Sequence, residues 1–424
     1  MEALQHEMSM THTHTPPPSR IAYLTNVYPA TTHTFVLREV LGLRALGWQV
    51  DTASINHDPR PFDRLTPEEQ EARQTTHVVK ASGWKGAVAA HAWTLWHHPV
   101  GYFRGLKATT KRIGQAGHLA QNAAHFTGGL MLGRWMQQTG QRHLHVHFAT
   151  AVASIATLAR KTFPITLSMT VHGPDEFANV RLEHFGDKMA IADFVVCISH
   201  FARGQSMQHS DPTHWHKLDV VRLGVTPEPT RQAAATQQGP LRLLCVGRLA
   251  PAKAQHLLLH ALAKLRKQGF SRVQLTLVGD GPDAQSLREL SRELGLDGQV
   301  VFTGALNQTE VAEQYSQSDA FVLPSFAEGI PVVLMEAMSR GIPCLSTRTA
   351  GIPELIEHGV SGLLAAPSDV ADLASRIREL AENAALRQQL GQNGQQRVER
   401  DYNIQRNVAQ LARVFQKRLD RIYA

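Results

Sequence analysis

Cysteine is scarce in this chain of 424 residues, which contains only three. Cys197, Cys245 and Cys344 are widely spaced and lie in apolar runs. An odd number of separated thiols excludes a disulfide framework and lacks the paired spacing of a structural zinc site. We therefore expect three buried, reduced cysteines and no structural metal.

Long hydrophobic runs are also missing. No stretch approaches the roughly 18 uninterrupted apolar residues that a membrane-spanning helix needs. Residues 1–19 are polar and rich in Thr, His and Pro, without the apolar core of a signal peptide. We expect a disordered tail at 1–19 and a cytoplasmic protein.

Acidic residues are absent from one long segment. Residues 72–174 contain eleven Lys or Arg and no Asp or Glu, which accounts for the excess behind the net charge of +7. A basic face of this kind attracts phosphate-rich partners, either nucleic acid or an anionic membrane surface. No nucleic-acid recognition motif accompanies the charge, so we expect no nucleic-acid partner.

Four aromatic residues within this segment lie close in sequence to four cations. They are Trp93, Trp96, Tyr102 and Phe103 with Arg104, Lys107, Lys111 and Arg112. The combination is typical of helices that lie in the headgroup layer of a membrane, here the inner membrane surface. A solvated helical hairpin whose aromatic rings pack inward explains the same composition, and both interpretations stay open at this point.

Two series of apolar strands alternate with amphipathic helices, separated by a polar, Pro- and Gln-rich stretch. This alternation predicts an α/β protein of two doubly wound, Rossmann-like domains that face each other across a cleft. We predict a first domain at 20–224 with a basic helical insertion at about 80–142, a linker at 225–240, a second domain at 241–404, and a final helix at 405–424 that crosses back to the first domain.

Glycines and cations follow the first strands of the second domain. The strand at 241–246 leads into Gly247, Arg248 and Lys253 at the start of a helix, an arrangement that predicts a diphosphate cradle. An ordinary capped loop with surface cations is the alternative. Gly279 and Gly281 follow the next strand and would let a base or ribose approach the backbone.

Two glutamates frame the helix that follows Pro331. Glu328 lies in the loop before this helix, and Glu336 lies inside its apolar sequence VVLMEAM. A carboxylate there needs polar partners, so we expect both to face one ligand. The amides at the helix start are expected to bind oxygens, and they belong to Gly329, Ile330, Val332 and Val333. A structural glutamate bonded to neighbouring backbone is the alternative for either one.

Three histidines alternate along the strand HLHVHF. His143, His145 and His147 would lie on one face of the strand, a spacing that also occurs in metal sites. With no carboxylate or cysteine nearby and the strand in a packed domain, structural histidines are favoured and we expect no metal.

These motifs together resemble glycosyltransferase family 4. The resemblance rests on Gly247-Arg248 with Lys253, on Glu328 and Glu336 with seven residues between them, and on Thr349 to Glu354. The first half is similar to the exopolysaccharide and lipopolysaccharide branch through Thr34-Phe35 with Glu39, the histidine strand, and His172 to Phe177. The residue after Lys253 departs from the pattern, because Ala254 replaces a glycine, and His33 replaces a glutamate of the first loop.

The resemblance implies a GT-B fold and a retaining transfer of a hexose from a nucleotide sugar (UDP- or GDP-hexose) without a metal or other cofactor. It implies that Arg248 and Lys253 hold the diphosphate, that Glu336 binds the ribose, and that Glu328 and His172 contact the sugar. Phe302 and Gly304 would frame the base. The implied acceptor is a glycan or a lipid-linked glycan, in exopolysaccharide or cell-envelope synthesis.

Two other functions remain alternatives. A GT-B enzyme acting on a small soluble acceptor would not need the basic segment. A non-catalytic nucleotide-sugar-binding or scaffold subunit would not need Arg248, Lys253, Glu328, Glu336 and His172 together.

Overall fold

The computed structural model describes residues 20–30, 33–116, 119–228 and 239–424. The expected tail at 1–19 and most of the expected linker at 225–240 lie outside these residues.

A parallel sheet forms the centre of the first domain. Within the described residues it has seven strands in the order β3-β2-β1-β4-β5-β6-β7. The strands are β1 Arg20–Val27, β2 Gln49–Asn56, β3 His77–Val78, β4 His143–His147, β5 Thr166–Val171, β6 Phe194–Cys197 and β7 Leu218–Val220. Their near-continuous apolar runs are typical of parallel strands that are covered on both faces.

Helices connect these strands. They are α1 Thr34–Ala45, α2 Pro67–Thr75, α3 Gly83–His97, α4 Pro99–Ala116, α5 Leu119–Thr139, α6 Ala151–Thr162, α7 Pro174–Phe177, α8 Phe185–Ile191 and α9 His200–Gln208. The basic segment therefore contains three helices, α3 to α5, between β3 and β4, where a hairpin was one of the two expectations.

The second domain repeats the architecture. Its described residues form a six-stranded parallel sheet in the order β10-β9-β8-β11-β12-β13. The strands are β8 Leu241–Val246, β9 Val273–Val278, β10 Val300–Gly304, β11 Ala320–Leu323, β12 Cys344–Thr347 and β13 Leu363–Ala365. The helices are α10 Gln255–Lys267, α11 Ala284–Glu293, α12 Gln308–Gln317, α13 Val332–Ser339, α14 Ile352–Leu355, α15 Val370–Glu382, α16 Ala384–Asp401 and α17 Ile404–Tyr423.

The last helix, α17, lies against the first domain. Directly before this helix, Asn403 forms a parallel β-bridge with Val225, a residue that follows β7. Phe415 of α17 is fully buried, with its ring centroid 4.9 Å from that of His145 and 5.8 Å from that of Phe194. The apolar stripe of α17 thus completes the core on one face of the first sheet, together with α1.

The other face of the first sheet is covered by the basic segment and α6. Within the parts of the chain that the structure describes, no helix is both long and apolar enough to cross a membrane. All three cysteines are buried and free, as their sequence context predicts.

Candidate active site in the interdomain cleft

The loop after β8 carries the two predicted phosphate-binding cations. Arg248 is exposed, and no side-chain partner for it occurs among the described residues. Lys253 ends a short 3-10 turn at Pro251–Lys253, directly before α10. Ala254 then takes a left-handed conformation with φ of +54°, which explains why a glycine is favoured at this position. Both cations therefore lie in the loop that leads into α10, and a helix start can bind anions through its backbone amides.

Gly279 and Gly281 allow the loop after β9 to pack closely against the loop after β8. A Cβ on Gly279 would lie 2.0 Å from the carbonyl oxygen of Gly247, and a Cβ on Gly281 would lie 2.3 Å from that of Leu249. The Leu249 amide donates to the Asp280 carbonyl over 3.0 Å. Close packing of two loops thus requires these glycines, in addition to any approach of a ligand.

Glu328 lies against the first of these loops. Its carboxylate accepts from Lys253 Nζ at 2.5 Å and from Ser325 Oγ at 2.8 Å. The Phe326 amide also donates to the Ala252 carbonyl at 2.9 Å. The structure therefore brings Lys253 and Glu328 together, 75 residues apart in sequence. In the unliganded state their charges neutralise each other, and an arriving anion competes for Lys253.

The start of α13 offers the predicted amides. In the described part of the chain, the amides of four residues donate to no protein acceptor. They are Gly329, Ile330, Val332 and Val333. Pro331 precedes the helix and Gly341, with φ of +73°, follows it. Free amides at a helix start form a site for oxygen atoms of a ligand.

Glu336, on the second turn of α13, forms an ion pair with a residue of the first domain. Arg38 Nη2 of α1 lies 3.1 Å from Glu336 Oε1, and both side chains are less than a third exposed. The Nη1 atom of Arg38 is buried with no partner in the described residues. Sequence reasoning missed Arg38, whose only signal is a cation next to Glu39 in the helix start TFVLREV.

His172 lies where the two domains touch. It follows β5, and a Cβ on Gly329 would come within 2.0 Å of the His172 carbonyl oxygen. A Cβ on Gly173 would meet the Gly329 backbone at 2.8 Å. The two glycines thus allow the His172 backbone to approach the Glu328 loop more closely than any side chain would permit.

The surroundings of the His172 ring are apolar and histidine-rich. The ring centroids of Phe148 and Phe35 lie 4.3 Å and 4.9 Å from that of His172. Burial, assisted by the neighbouring His147 and His33, holds the pKa of His172 well below its ordinary value. The ring is therefore neutral at physiological pH and can accept or donate one hydrogen bond at each nitrogen according to its tautomer.

Glu176 fixes the backbone that carries His172. Its buried carboxyl group accepts from the amides of Ala149, His172 and Gly173. Burial raises the pKa of Glu176 to about 7, although these backbone donors favour the charged form. Sequence analysis placed Glu176 only within the family motif, without a structural role.

The histidine strand shows a correction to the sequence analysis. His143 contacts Thr166 and Ser168, and His145 contacts Ser168 and Thr170, through both ring nitrogens of each. A carboxylate is nevertheless nearby, because Glu39 Oε1 lies 3.1 Å from His147 Nε2. Glu39 is 108 residues away in sequence, so the expectation that no carboxylate approaches these histidines was wrong.

The remaining predicted ligand residues, Phe302 and Gly304, lie on β10, which is an edge strand of the second sheet. Phe302 is the middle residue of this strand, and the Arg288 guanidinium lies 5.4 Å from its ring centroid. Gly304, with φ of +75°, accepts from the Gly279 amide at 2.9 Å. The strand end that was predicted to frame a base is thus joined to the Gly279 loop.

Glu354 is a further cross-domain residue that sequence reasoning did not assign. Its carboxylate accepts from the amides of His200 and Phe201, at 2.9 Å and 2.7 Å, at the start of α9. A carboxylate at a helix start is stabilising, so this contact joins the second domain to the first. The TAGIPE sequence in which it lies was its only signal.

A family model matches much of the second domain. Residues 228–397 match the family model described as "Glycosyl transferases group 1". Those residues contain Lys253, Glu328 and Glu336 together with Arg248. This segment is similar to the group 1 glycosyltransferases. The resemblance to a glycosyltransferase family that was drawn from the motifs is thereby confirmed.

One relative is similar to nearly the whole chain, and another to about half of it. The chain is 26% identical to a putative colanic acid biosynthesis glycosyltransferase, WcaL, of Salmonella typhimurium, over 94% of this chain and 99% of the relative. It is 34% identical to the amylovoran biosynthesis glycosyltransferase AmsK of Erwinia amylovora, over 47% of this chain and 51% of the relative.

Solved structures show the same fold. Anabaena HepE in complex with UDP-glucose is similar with a TM-score of 0.70 and 17% identity, over 94% of this chain and 99% of the other. The lipopolysaccharide outer core galactosyltransferase WaaB is similar with a TM-score of 0.65 and 19% identity, over 94% and 100%. The predicted GT-B fold of two Rossmann-like domains is confirmed.

Proposed function

We propose that this glycosyltransferase moves a hexose, with retention of anomeric configuration, from a nucleoside diphosphate sugar to a lipid-linked glycan in the synthesis of an exopolysaccharide or cell-envelope polysaccharide. The observation that carries the proposal is the contact of Lys253 Nζ with the Glu328 carboxylate at 2.5 Å, next in sequence to the free amides that lead into α13, the helix that carries Glu336. The names of the relatives, colanic acid and amylovoran glycosyltransferases, support the polysaccharide role.

In this proposal, Arg248 and Lys253 bind the donor diphosphate at the start of α10. Two cations and a helix start stabilise the negative charge that develops on the departing phosphate. Lys253 would exchange its 2.5 Å contact with Glu328 for a shared contact with a phosphate oxygen. The freed Glu328 can then accept from hydroxyl groups of the sugar, while Glu336 accepts from the ribose.

The chemical step breaks the bond between the anomeric carbon and the phosphate oxygen. The acceptor hydroxyl oxygen forms the new bond on the same face of the sugar, and its proton passes to the departing phosphate oxygen. The products are the extended glycan and the nucleoside diphosphate. His172, carried by the first domain, contacts the sugar only when that domain meets the Glu328 loop, so the reaction requires the closed arrangement of the two domains.

Calorimetry with UDP, GDP and ADP sugars, with and without a chelator of divalent cations, tests the donor site. We expect micromolar binding of one nucleotide class that the chelator does not change and that Arg248→Ala and Glu336→Ala each weaken at least tenfold. Arg272→Ala and Glu289→Ala are matched controls, because both residues are exposed on the same domain away from these loops. Binding that survives the two site substitutions would contradict the proposal, and the absence of any nucleotide binding would favour a scaffold subunit.

The outer surface of α3 and α4 supports a membrane-bound acceptor. Trp96 is 84% exposed, Val100 is 72% exposed and Phe103 is 60% exposed. On α4, Val100 and Phe103 lie at helical spacing with three exposed cations, which are Arg104, Lys107 and Lys111. Apolar side chains beside cations fit the boundary between headgroups and acyl chains of an anionic bilayer. We therefore propose that this surface, Trp96 to Lys111, docks on the cytoplasmic face of the membrane.

The burial of individual side chains alters two expectations about the surface of α3 and α4. Arg112, predicted as a cation of the surface, is only 4% exposed and donates to the Ser154 carbonyl at 3.2 Å and to Thr157 Oγ1 at 2.8 Å. Trp93 and Tyr102 pack against the domain core, as the inward-packing interpretation requires. Trp96 and Phe103 point outward, so each interpretation applies to two of the four aromatic residues.

Vesicle flotation at low salt tests the docking. We expect binding to vesicles of phosphatidylglycerol and phosphatidylcholine, but little binding to phosphatidylcholine alone. Joint substitution of Arg104, Lys107 and Lys111 by Gln, or of Trp96 and Phe103 by Ser, should reduce flotation at least fivefold. Substitution of the exposed cations of α10, Lys264, Arg266 and Lys267, by Gln is the matched control. Equal flotation of all variants would remove the proposed membrane surface.

A further inference from the structure

A continuous hydrogen-bonded chain runs through the first domain to His172. The Tyr23 hydroxyl donates to Glu39 Oε1 at 2.7 Å. The Nε2 atom of His147 lies 3.1 Å from the same oxygen, and its Nδ1 atom lies 3.0 Å from Nε2 of His172. All four side chains are buried, so water does not compete for these contacts. The chain links α1, β1, β4 and the loop after β5.

The direction of each hydrogen bond follows from the carboxylate end. Glu39 Oε1 accepts from the Tyr23 hydroxyl, and its remaining lone pair accepts from an N–H at His147 Nε2. In the neutral Nε2–H form of His147, the Nδ1 atom is unprotonated and can only accept. With His147 in that form, Nε2 of His172 is the donor of the 3.0 Å contact. The Nδ1 atom of the neutral His172 ring is then unprotonated.

We propose that Glu39 is a positioning residue that acts through His147 to hold His172 in the Nε2–H tautomer, so that the Nδ1 atom of His172 accepts a hydrogen bond from a hydroxyl group of the donor sugar. The role of His172 toward the sugar rests on the proposed function. Nδ1 of His172 has no hydrogen-bond partner among the described residues, whereas its Nε2 and its backbone amide are both engaged.

The packing around His172 supports a fixed ring. Phe148 holds its own ring 4.3 Å from that of His172 by taking a left-handed backbone conformation, with φ of +72°. A phenylalanine in that conformation is strained, and such strain is kept where the surrounding structure determines it. The Glu176 carboxyl group accepts a hydrogen bond from the backbone amide of His172. Rotation of the ring would break the contact to His147 and the stacking together.

A metal ion is the competing explanation for the same residues. Ligand atoms of Glu39, His145 and His147 all lie within 4.8 Å of one another. Both ring nitrogens of His145, however, lie at hydrogen-bond distance from hydroxyl groups, 2.7 Å from Ser168 and 2.9 Å from Thr170. The hydroxyl partners of His145 and the contacts of Glu39 and His147 in the hydrogen-bonded chain account for all three side chains without an ion.

Nitrogen NMR of the full chain, labelled with ¹⁵N in the histidine rings, tests the tautomer directly and needs no substrate. His172 is assigned by the signals that His172→Gln removes. We expect Nε2–H and unprotonated Nδ1 for His172 at pH 7.5. We expect a shift toward the Nδ1–H tautomer in Glu39→Met, because methionine offers His147 Nε2 no oxygen acceptor. A Nδ1–H tautomer in the unsubstituted protein, a tautomer unaffected by Glu39→Met, or a stoichiometric metal in elemental analysis would each overturn the proposal.

A double-mutant cycle separates positioning from general stability. With the donor found by calorimetry, Glu39→Met should lower kcat at least tenfold and change the donor Kd less than twofold. In a His172→Ala background the same substitution should lower kcat less than twofold further. Multiplication of the two losses would indicate a structural effect and contradict the proposal. Glu69→Met, which removes another buried carboxylate of the first domain, is the matched control.

Substitutions at His147 provide a second measurement if Glu39→Met folds poorly. The amide oxygen of His147→Asn can still accept from His172 Nε2, whereas His147→Leu offers no acceptor. We expect His147→Asn to keep the Nε2–H tautomer and at least a fivefold higher kcat than His147→Leu. Equal kcat values for the two variants would contradict the proposed chain. If no nucleotide sugar binds at all, the proposed function fails while the NMR result still decides the tautomer.

Discussion

The guanidinium of Arg38 in the first domain lies 3.1 Å from the Glu336 carboxylate in the second. The two residues are 298 positions apart, and their contact joins the two domains at the carboxylate that we propose binds the ribose. A partly buried ion pair of this kind contributes up to about 1 kcal/mol. A donor that binds Glu336 must therefore share or replace Arg38.

Arg38→Met should open the unliganded cleft. Loss of about 1 kcal/mol changes the ratio of open to closed molecules by a factor of about five. Small-angle X-ray scattering should show a larger radius of gyration for Arg38→Met than for the unsubstituted protein, and high salt should reduce the difference. Arg20→Met is the control, because its partner Asp51, at 2.8 Å, belongs to the same domain. Identical scattering of the two variants would mean that Arg38 does not hold the cleft.

Gly329→Ala should block the approach of the two domains. The added Cβ would lie 2.0 Å from the His172 carbonyl oxygen, closer than any real contact, so the backbones must separate. Since His172 then withdraws from the sugar, we expect kcat/KM to fall at least tenfold while nucleoside diphosphate affinity changes less than threefold. The control is Gly204→Ala, where an added Cβ meets no atom within 4 Å. A Gly329→Ala enzyme with unchanged kcat/KM would contradict the need for this contact.

The fold and half of the site follow from local patterns in the sequence. Apolar runs that end at glycines predict the strands, and the Lys253 and Glu328 loops could be predicted because each lies at a strand's carboxyl end. Arg38, Glu39 and Glu354 could not, since each acts on a residue more than a hundred positions away. Only the three-dimensional fold brings such pairs together.

The prediction for the aromatic cluster illustrates the same limit. Trp93 and Trp96 are three positions apart, and helical spacing alone does not say which of them faces the core. The packing of α3 against α5 buries part of Trp93 and leaves Trp96 outside. Arg112 is buried for the same reason, because α4 packs on α6 and directs this cation at the Ser154 carbonyl.

Phe415→Ala should destabilise the first domain from within the last helix. Its fully buried ring packs against Tyr23, His145 and Phe194, so truncation leaves a large cavity. We expect a loss of about 3–5 kcal/mol in the free energy of unfolding, measured by urea titration. Phe62→Ala, which truncates an exposed phenylalanine, should cost about 0.5 kcal/mol. Equal losses in the two variants would show that α17 does not belong to the core.

The buried histidines predict a loss of stability in mild acid. Burial lowers the pKa of His143 from 6.5 to about 3, so the unfolded chain binds a proton below pH 6.5 that the folded chain excludes. Stability is therefore complete above pH 7 and decreases as the pH falls toward 3. One such group accounts for about 2 kcal/mol between pH 7 and pH 5.

His143→Gln removes this proton while its amide can still contact Thr166 and Ser168. In urea titrations, the unsubstituted protein should lose about 2 kcal/mol more than His143→Gln when the pH falls from 7 to 5. His57→Gln, at an exposed position, is the control and should follow the unsubstituted protein. Since His145 and His172 are also buried with lowered pKa values, the variant should still lose stability in acid, with a smaller slope. Parallel curves for His143→Gln and the unsubstituted protein would show that His143 is already protonated in the folded state.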